Sequence, residues 1–111
     1  MGGIKIMLNQ IITVGRLTNI KKEELENGGK KVIATLAVPQ YFKNADGEYD
    51  TNFIDFTLYG GIAENTVEYC KKGDIIGVRG RIQRIDTNKP IELIAEKITF
   101  LSSKRKDEEE A

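Results

Sequence analysis

The sequence has no histidine, no tryptophan, one cysteine and two prolines in 111 residues, and its seventeen Lys and Arg are balanced by seventeen Asp and Glu. Without histidine, the commonest general base and the commonest metal ligand are both missing. A lone Cys70 excludes an internal disulfide and a multi-cysteine zinc site. It falls on the apolar side of a short helical pattern, where a buried structural thiol is expected. The only nearby charges that would activate it are Lys71 and Lys72. No nucleophile stands with a base, and carboxylates such as Asp55 are scattered, so neither an enzyme nor a cofactor is expected. No apolar run approaches a membrane span and no charged and apolar pair of segments marks a signal peptide. A cytoplasmic location without a membrane partner is the expectation.

Zero net charge also withholds the broad basic field of many nucleic-acid binders. Three of the bases and four of the acids sit in the last ten residues, SSKRKDEEEA, which leaves the rest nearly balanced. Any affinity for nucleic acid must then come from where the bases sit and from non-ionic contacts. At this length one domain with a modest core is expected.

What is present is organised around residues 52–73, NFIDFTLYGGIAENTVEYCKKG. The first half alternates, which places Ile54, Phe56 and Leu58 on one face of a strand and Phe53, Asp55, Thr57 and Tyr59 on the other. The first face is aliphatic and core-like. The second begins and ends in a ring with polar residues between, an unusual surface if it meets only water. Gly60 and Gly61 then open a helix of about three turns, with Ile62, Ala63, Thr66, Val67, Tyr69 and Cys70 on its broad apolar side. Lys71 and Lys72 suit its C-terminal dipole, and Gly73 suits a left-handed stop.

Before that stretch, residues 1–6 form an N-terminal extension, and residues 7–17 predict a strand with Ile12 and Val14 as core candidates. Gly15 marks a bulge or bend with Arg16 displaced outward. Residues 18–30 mix charges and end in Asn27-Gly28-Gly29, and are expected to form a solvated loop. The next strand spans residues 31–38, with Val32, Ala34, Leu36 and Val38 inside; Lys31, Ile33, Thr35 and Ala37 lie outside, and Pro39 ends its pairing. A hairpin over residues 41–50 turns at Asp46-Gly47, flanked by Tyr41, Phe42 and Tyr49 with Lys43 beside them.

Beyond the helix, residues 74–84 predict a strand with Ile76, Val78 and Ile82 inward and Ile75, Arg79, Arg81 and Gln83 outward. Arg79 and Arg81 alternate on one face about 7 Å apart, near the spacing of phosphates in a single strand. The alternative use for them is cross-strand ion pairing with acids such as Asp55 or Glu92. A short connection at Asp86 to Lys89 leads to a last strand from Pro90 to Leu101, in which Leu93, Ile94, Ile98 and Phe100 supply apolar mass. Residues 102–111 are expected to be a disordered charged tail. The count predicts an all-β, five-stranded OB-fold barrel over residues 7–101, with one α-helix between strands 3 and 4.

Met7-Leu8-Asn9, Val14-Gly15-Arg16-Leu17, residues 53–63, Tyr69 with Lys72-Gly73, and Val78-Arg79-Gly80-Arg81-Ile82 stand in an order and spacing that resembles bacterial-type single-stranded DNA-binding proteins. The resemblance implies sequence-tolerant binding and protection of single-stranded DNA in replication, recombination or repair, in the nucleoid. It implies a homo-oligomer, with a tetramer favoured and a dimer possible. Carried over by position, Phe53, Tyr59 and one of Tyr41 or Phe42 are stacking rings; Arg16, Lys31, Lys43, Arg79, Arg81 and Arg84 are expected to meet phosphates. The connection before the last strand is short and ring-free, which implies a small footprint. The end DEEEA lacks the proline and phenylalanine tip common in the family, so recruitment of replication or repair proteins by the tail is not expected. The rival function is an interaction subunit of a replication or conjugation complex, with the exposed rings as a protein contact and nucleic acid secondary.

Overall fold

A computed structural model describes residues 8–102; the extension at 1–6, Met7 and the tail at 103–111 lie outside the described residues. Five strands and one helix follow in the order β1 (Ile11–Glu24), β2 (Lys30–Lys43), β3 (Tyr49–Tyr59), α1 (Gly60–Tyr69), β4 (Ile75–Gln83) and β5 (Glu92–Ser102). The strands close into a barrel in the order β1, β2, β3, β5, β4, with every pairing antiparallel except β3 with β5. This is the expected OB-fold, with its helix between the third and fourth strands.

One long strand makes the closure possible. The first half of β1, Ile11 to Arg16, pairs with β4, and from Arg16 onward it pairs with β2. Gly15 stands at the crossing, where a Cβ would lie 2.8 Å from Val38 Cγ2 and 2.9 Å from the Ala37 carbonyl oxygen. The bend expected at Gly15 is therefore also a close approach that excludes any side chain. The two faces of this half are opposite to expectation: Ile12 is 72% and Val14 52% exposed, while Ile11 packs against the core and Leu17 is fully buried.

Residues 18–24 form strand, not loop, because their backbones pair with Lys30 to Thr35 across a hairpin that includes the buried Val32 and Ala34. Both hairpins in this half of the barrel turn by the same device. The Gly28 N–H donates to the Leu25 carbonyl and the Gly47 N–H to the Asn44 carbonyl, with each glycine at positive φ, 83° and 80°. Only glycine holds that conformation without strain. The Asn44 side chain accepts from the Asp46 and Glu48 N–H groups, which fixes the second turn.

The core consists of Leu17, Val32, Ala34, Leu36, Phe56, Leu58, Ile76, Val78 and Ala95. Burying one such large side chain contributes about 1.5–3 kcal/mol. Helix α1 contacts β2, β3 and β5 and presents Ala63 and Thr66, both buried, to the barrel end, with Ile62 and Val67 at the margin. Tyr69 points to solvent instead. The helix stops at Tyr69 with Cys70 extended, so Lys71 and Lys72 lie past its last turn, and the φ of 99° at Gly73 belongs to the following turn. That turn is tied to the bend in β1: Leu17 N–H donates to the Asp74 carbonyl, and Gly73 N–H to the Leu17 carbonyl.

Three further expectations are corrected. Ile82 and Phe100 are exposed, Ile82 because it lies at the end of the barrel beyond the buried Gly80, and Phe100 despite pairing with the buried Ile76. The last strand starts at Glu92, leaving residues 84–91 as a connection longer than residues 86–89, and it runs through Ser102. The turn there is held by the Asp86 side chain, which accepts from the Asn88 N–H.

Candidate nucleic-acid interface

Alternation along β3 places Tyr49, Thr51, Phe53, Asp55, Thr57 and Tyr59 on its outer face. Ala37, Thr35, Ile33 and Lys31 of β2 stand opposite Phe53, Asp55, Thr57 and Tyr59. Phe53 is 68% and Tyr59 40% exposed, as the residue pattern predicts. Thr57 is buried, because β3 meets β5 there through the Thr57 and Ile94 pair. The rings mark two separate places. Six residues of strand put them about 20 Å apart, too far to enclose one base.

The track continues into the β2–β3 hairpin. Between Pro39 and Lys43, β2 uses four steps where β3 uses two, from Thr51 to Tyr49. A bulge of this kind pushes residues out of the ladder, and Tyr41 is 93% and Phe42 55% exposed. The two rings pack edge to face with centroids 5.4 Å apart. Lys43 Nζ lies 5.8 Å from the Tyr49 ring centroid, a cation–π contact that places an ammonium beside the rings. From Tyr49 to Tyr59 the aromatic track is about 33 Å long by strand rise. Tyr49, which the residue pattern marks only as a hairpin flank, shares this exposed outer face. The odd-numbered alternation extended back from Phe53 would have found it.

The bases named from sequence divide by place. Lys31 lies directly across from Tyr59, and Lys43 reaches the hairpin rings. Lys21, opposite Ile33 on β1, adds a base to this surface, with its Nζ 3.6 Å from Glu23. Arg16 turns its guanidinium to the backbone, donating to the Gly73 carbonyl at 2.6 Å, and so helps hold the helix exit to the β1 bend. The arginines of β4 do not adjoin the rings of β3, because β5 lies between the two strands. Arg81 is paired with Ile94, the same residue that meets Thr57, so its strand lies about 10 Å beyond β3. Arg81 donates to Glu96 at 3.1 Å and to Gln83 at 3.3 Å, an ion pair within the β4–β5 sheet. Arg79 stands farther off, between Ile12 of β1 and Lys97 of β5, and Arg84 opens the exposed connection after β4.

Around Arg79 the barrel has a second exposed surface. Ile12, Val14, Gly77, Arg79, Lys97, Thr99 and Leu101 line a shallow depression of about 320 Å³ on the β1–β4–β5 sheet. In the strand order this sheet is on the far side from β2 and β3.

Among the described residues no group of three or more Cys, Asp or Glu could hold a metal ion, and no helix is long and apolar enough to cross a membrane. Cys70 is buried, and that burial, with the Asp74 carboxylate adding to it, pushes its thiol pKa up.

Comparison with known proteins follows the same lines. The model of the single-strand binding protein family matches residues 8–101. Single-stranded DNA-binding protein B of Bacillus subtilis is 46% identical over 78 residues, covering 69% of each chain. Single-stranded DNA-binding protein 1 of Clostridium acetobutylicum is 35% identical over 107 residues, covering 88% of this chain and 97% of that one. The solved Plasmodium falciparum SSB in complex with ssDNA superposes with a TM-score of 0.69 at 20% identity, over 90% of this chain and all of that one, which is a likeness of fold.

Proposed function

The chain belongs to the single-strand binding protein family, and from that membership we propose that single-stranded DNA runs along the outer face of β2 and β3, from Tyr59 past Phe53 to the hairpin rings. It is a non-enzymatic protein that binds single-stranded DNA; its roles in replication, recombination and repair are those general to the family. The observation that carries the path is the co-facial placement of Phe53, Tyr59 and Tyr49 with Lys31 and Lys43 beside them. Every base has a π-face, so stacking on such rings tolerates any sequence, and the bases neutralise phosphates without reading one. The balanced charge of the chain makes stacking the main source of affinity and the salt dependence moderate.

The second exposed surface supports assembly. Ile12, Val14 and Leu101 are an apolar group on the β1–β4–β5 sheet, away from the ring track, where a second copy of the chain would bury them and leave the track open. A homotetramer is favoured and a dimer is the smaller alternative. Location in the nucleoid follows from the proposed ligand.

The direct test is a fluorescence titration with oligo-dT and with duplex DNA at two salt concentrations, following tyrosine quenching because the chain has no tryptophan. Quenching by single strands alone, weakened by salt, is the expected result. Absence of quenching with every strand would assign the rings to a protein contact.

A further inference from the structure

One group on the ring track is explained neither by stacking nor by phosphate contact. Asp55 lies on the outer face of β3 between Phe53 and Tyr59, exposed, where a carboxylate repels the backbone of any strand laid over it. It is held in place: the Thr35 hydroxyl, directly across on β2, donates to Asp55 Oδ1 at 2.5 Å. Among the described residues no lysine or arginine pairs with it. One hydrogen bond leaves a carboxylate most of its acceptor sites, and it has no donor to offer.

An acceptor fixed beside stacking rings distinguishes bases by their edges. Cytosine presents its N4 amino group, and guanine presents an amide N–H beside an amino group, a pair of donors matched to the two oxygens of a carboxylate. Thymine presents carbonyl oxygens on both sides of its single N–H, and these face a carboxylate with like charge. We propose that Asp55, oriented by Thr35, biases the base stacked on Phe53, one same-face step away along β3, toward guanine and cytosine and against thymine, so that the track is not neutral to sequence. This rests on the proposal that Phe53 and Tyr59 stack bases. Asp55 contacts the base; Thr35 is the positioning residue.

The test compares the wild type with Asp55→Asn, Asp55→Ala and Thr35→Val on oligo-dT, oligo-dC and a T-rich oligonucleotide with isolated guanines, at two salt concentrations. Both Asp55 and Thr35 face outward, and circular dichroism verifies that each variant folds. Loss of the carboxylate should tighten oligo-dT but not the cytosine or guanine strands, lowering the ratio of Kd for dT to Kd for dC by about fivefold. Thr35→Val should lower it in the same direction by less. The change in ratio should persist at high salt, where simple repulsion of phosphate is screened. Equal tightening on all three strands, or a ratio that reverts at high salt, would overturn the inference and leave Asp55 as a repelling charge alone. That outcome is separate from failure of the binding path, in which Phe53→Ala leaves affinity for every strand unchanged.

Discussion

Gly80 lies so close to the backbone of Ile94 that a Cβ built on it would stand 2.1 Å from the Ile94 carbonyl oxygen and 3.0 Å from its carbonyl carbon. The obstacle is main chain in the β4–β5 ladder, beside the Gly80 and Ala95 pair, and it cannot swing aside as a side chain would. Gly80→Ala is expected to destabilise the barrel by about 3 kcal/mol through forced separation of these strands. Gly61, in the helix with no atom within 4 Å of such a Cβ, is the control. Gly61→Ala should stabilise by about 0.5–1 kcal/mol. Urea midpoints of the two variants check both signs.

Ring removal should affect binding according to position on the track. Phe53→Ala and Tyr59→Ala should each lose about 1–3 kcal/mol of affinity for oligo-dT, roughly tenfold or more. Tyr49→Ala should fall in the same range, although its residue pattern drew attention only as a hairpin flank. Tyr69, equally exposed but on α1, should tolerate alanine without loss. Anisotropy of a labelled oligonucleotide measures all four, and a loss at Tyr69 equal to that at Phe53 would move the path off β3.

How far these features could be read from sequence depends on what each residue's neighbours decide. The alternation of residues 53–59 was legible because its faces differ in chemistry, aliphatic on one side and ringed on the other. Ile12 and Val14 misled because the true inward position nearby is Gly15, emptied of a side chain by Val38 and the Ala37 carbonyl, contacts no local pattern can reveal. The charged run Lys21 to Glu24 looked like a loop because the buried face of this hairpin is supplied by its partner strand, through Val32 and Ala34, so the run's own composition does not mark it as strand. The alternation of Arg79 and Arg81 on one face was legible from their own spacing, whereas their distance from β3 is set by β5 coming between, a long-range pairing. Asp55 was visible from the start as an acid among rings; its cross-strand partner Thr35 was not.

The Arg81–Glu96 pair makes a prediction about salt. Both side chains are partly exposed, so the pair itself contributes little to stability, about 0–1 kcal/mol. It does occupy the Arg81 guanidinium. Glu96→Gln should release Arg81, tighten binding at low salt and steepen the log–log salt slope by about 0.7, the increment for one further phosphate in a single strand. A slope equal to that of the wild type would exclude Arg81 from the DNA path.

Assembly can be tested apart from DNA binding. Ile12→Asp places a carboxylate in the apolar group with Val14 and Leu101, on the sheet opposite the ring track. Ile12 is mostly exposed in the single chain, so the monomer should fold normally. Sedimentation should show a smaller assembly than the wild type, because a buried unpaired charge is costly at an interface. Unchanged mass would place the interface elsewhere.

Cys70 supplies a pH dependence whose sign is fixed by its surroundings. Burial first, and the Asp74 carboxylate second, disfavour the thiolate, so the thiol pKa in the folded chain lies above its ordinary value of 9.0. Above that pH the unfolded chain has released the proton while the folded chain still holds it. The folded state then binds more protons than the unfolded, and stability falls with rising pH. The favourable contribution is fully present below pH 9.0 and is lost as pH rises toward the folded-state pKa. The useful quantity is the difference between wild type and Cys70→Ala in urea midpoint at pH 7, 9 and 10.5, which isolates the thiol. The wild type should lose more stability than the variant across that range, and a thiol reagent should react with Cys70 only at the rate of unfolding. Rapid labelling of the native protein at neutral pH would show that the thiol is accessible, and the expected slope would vanish with it.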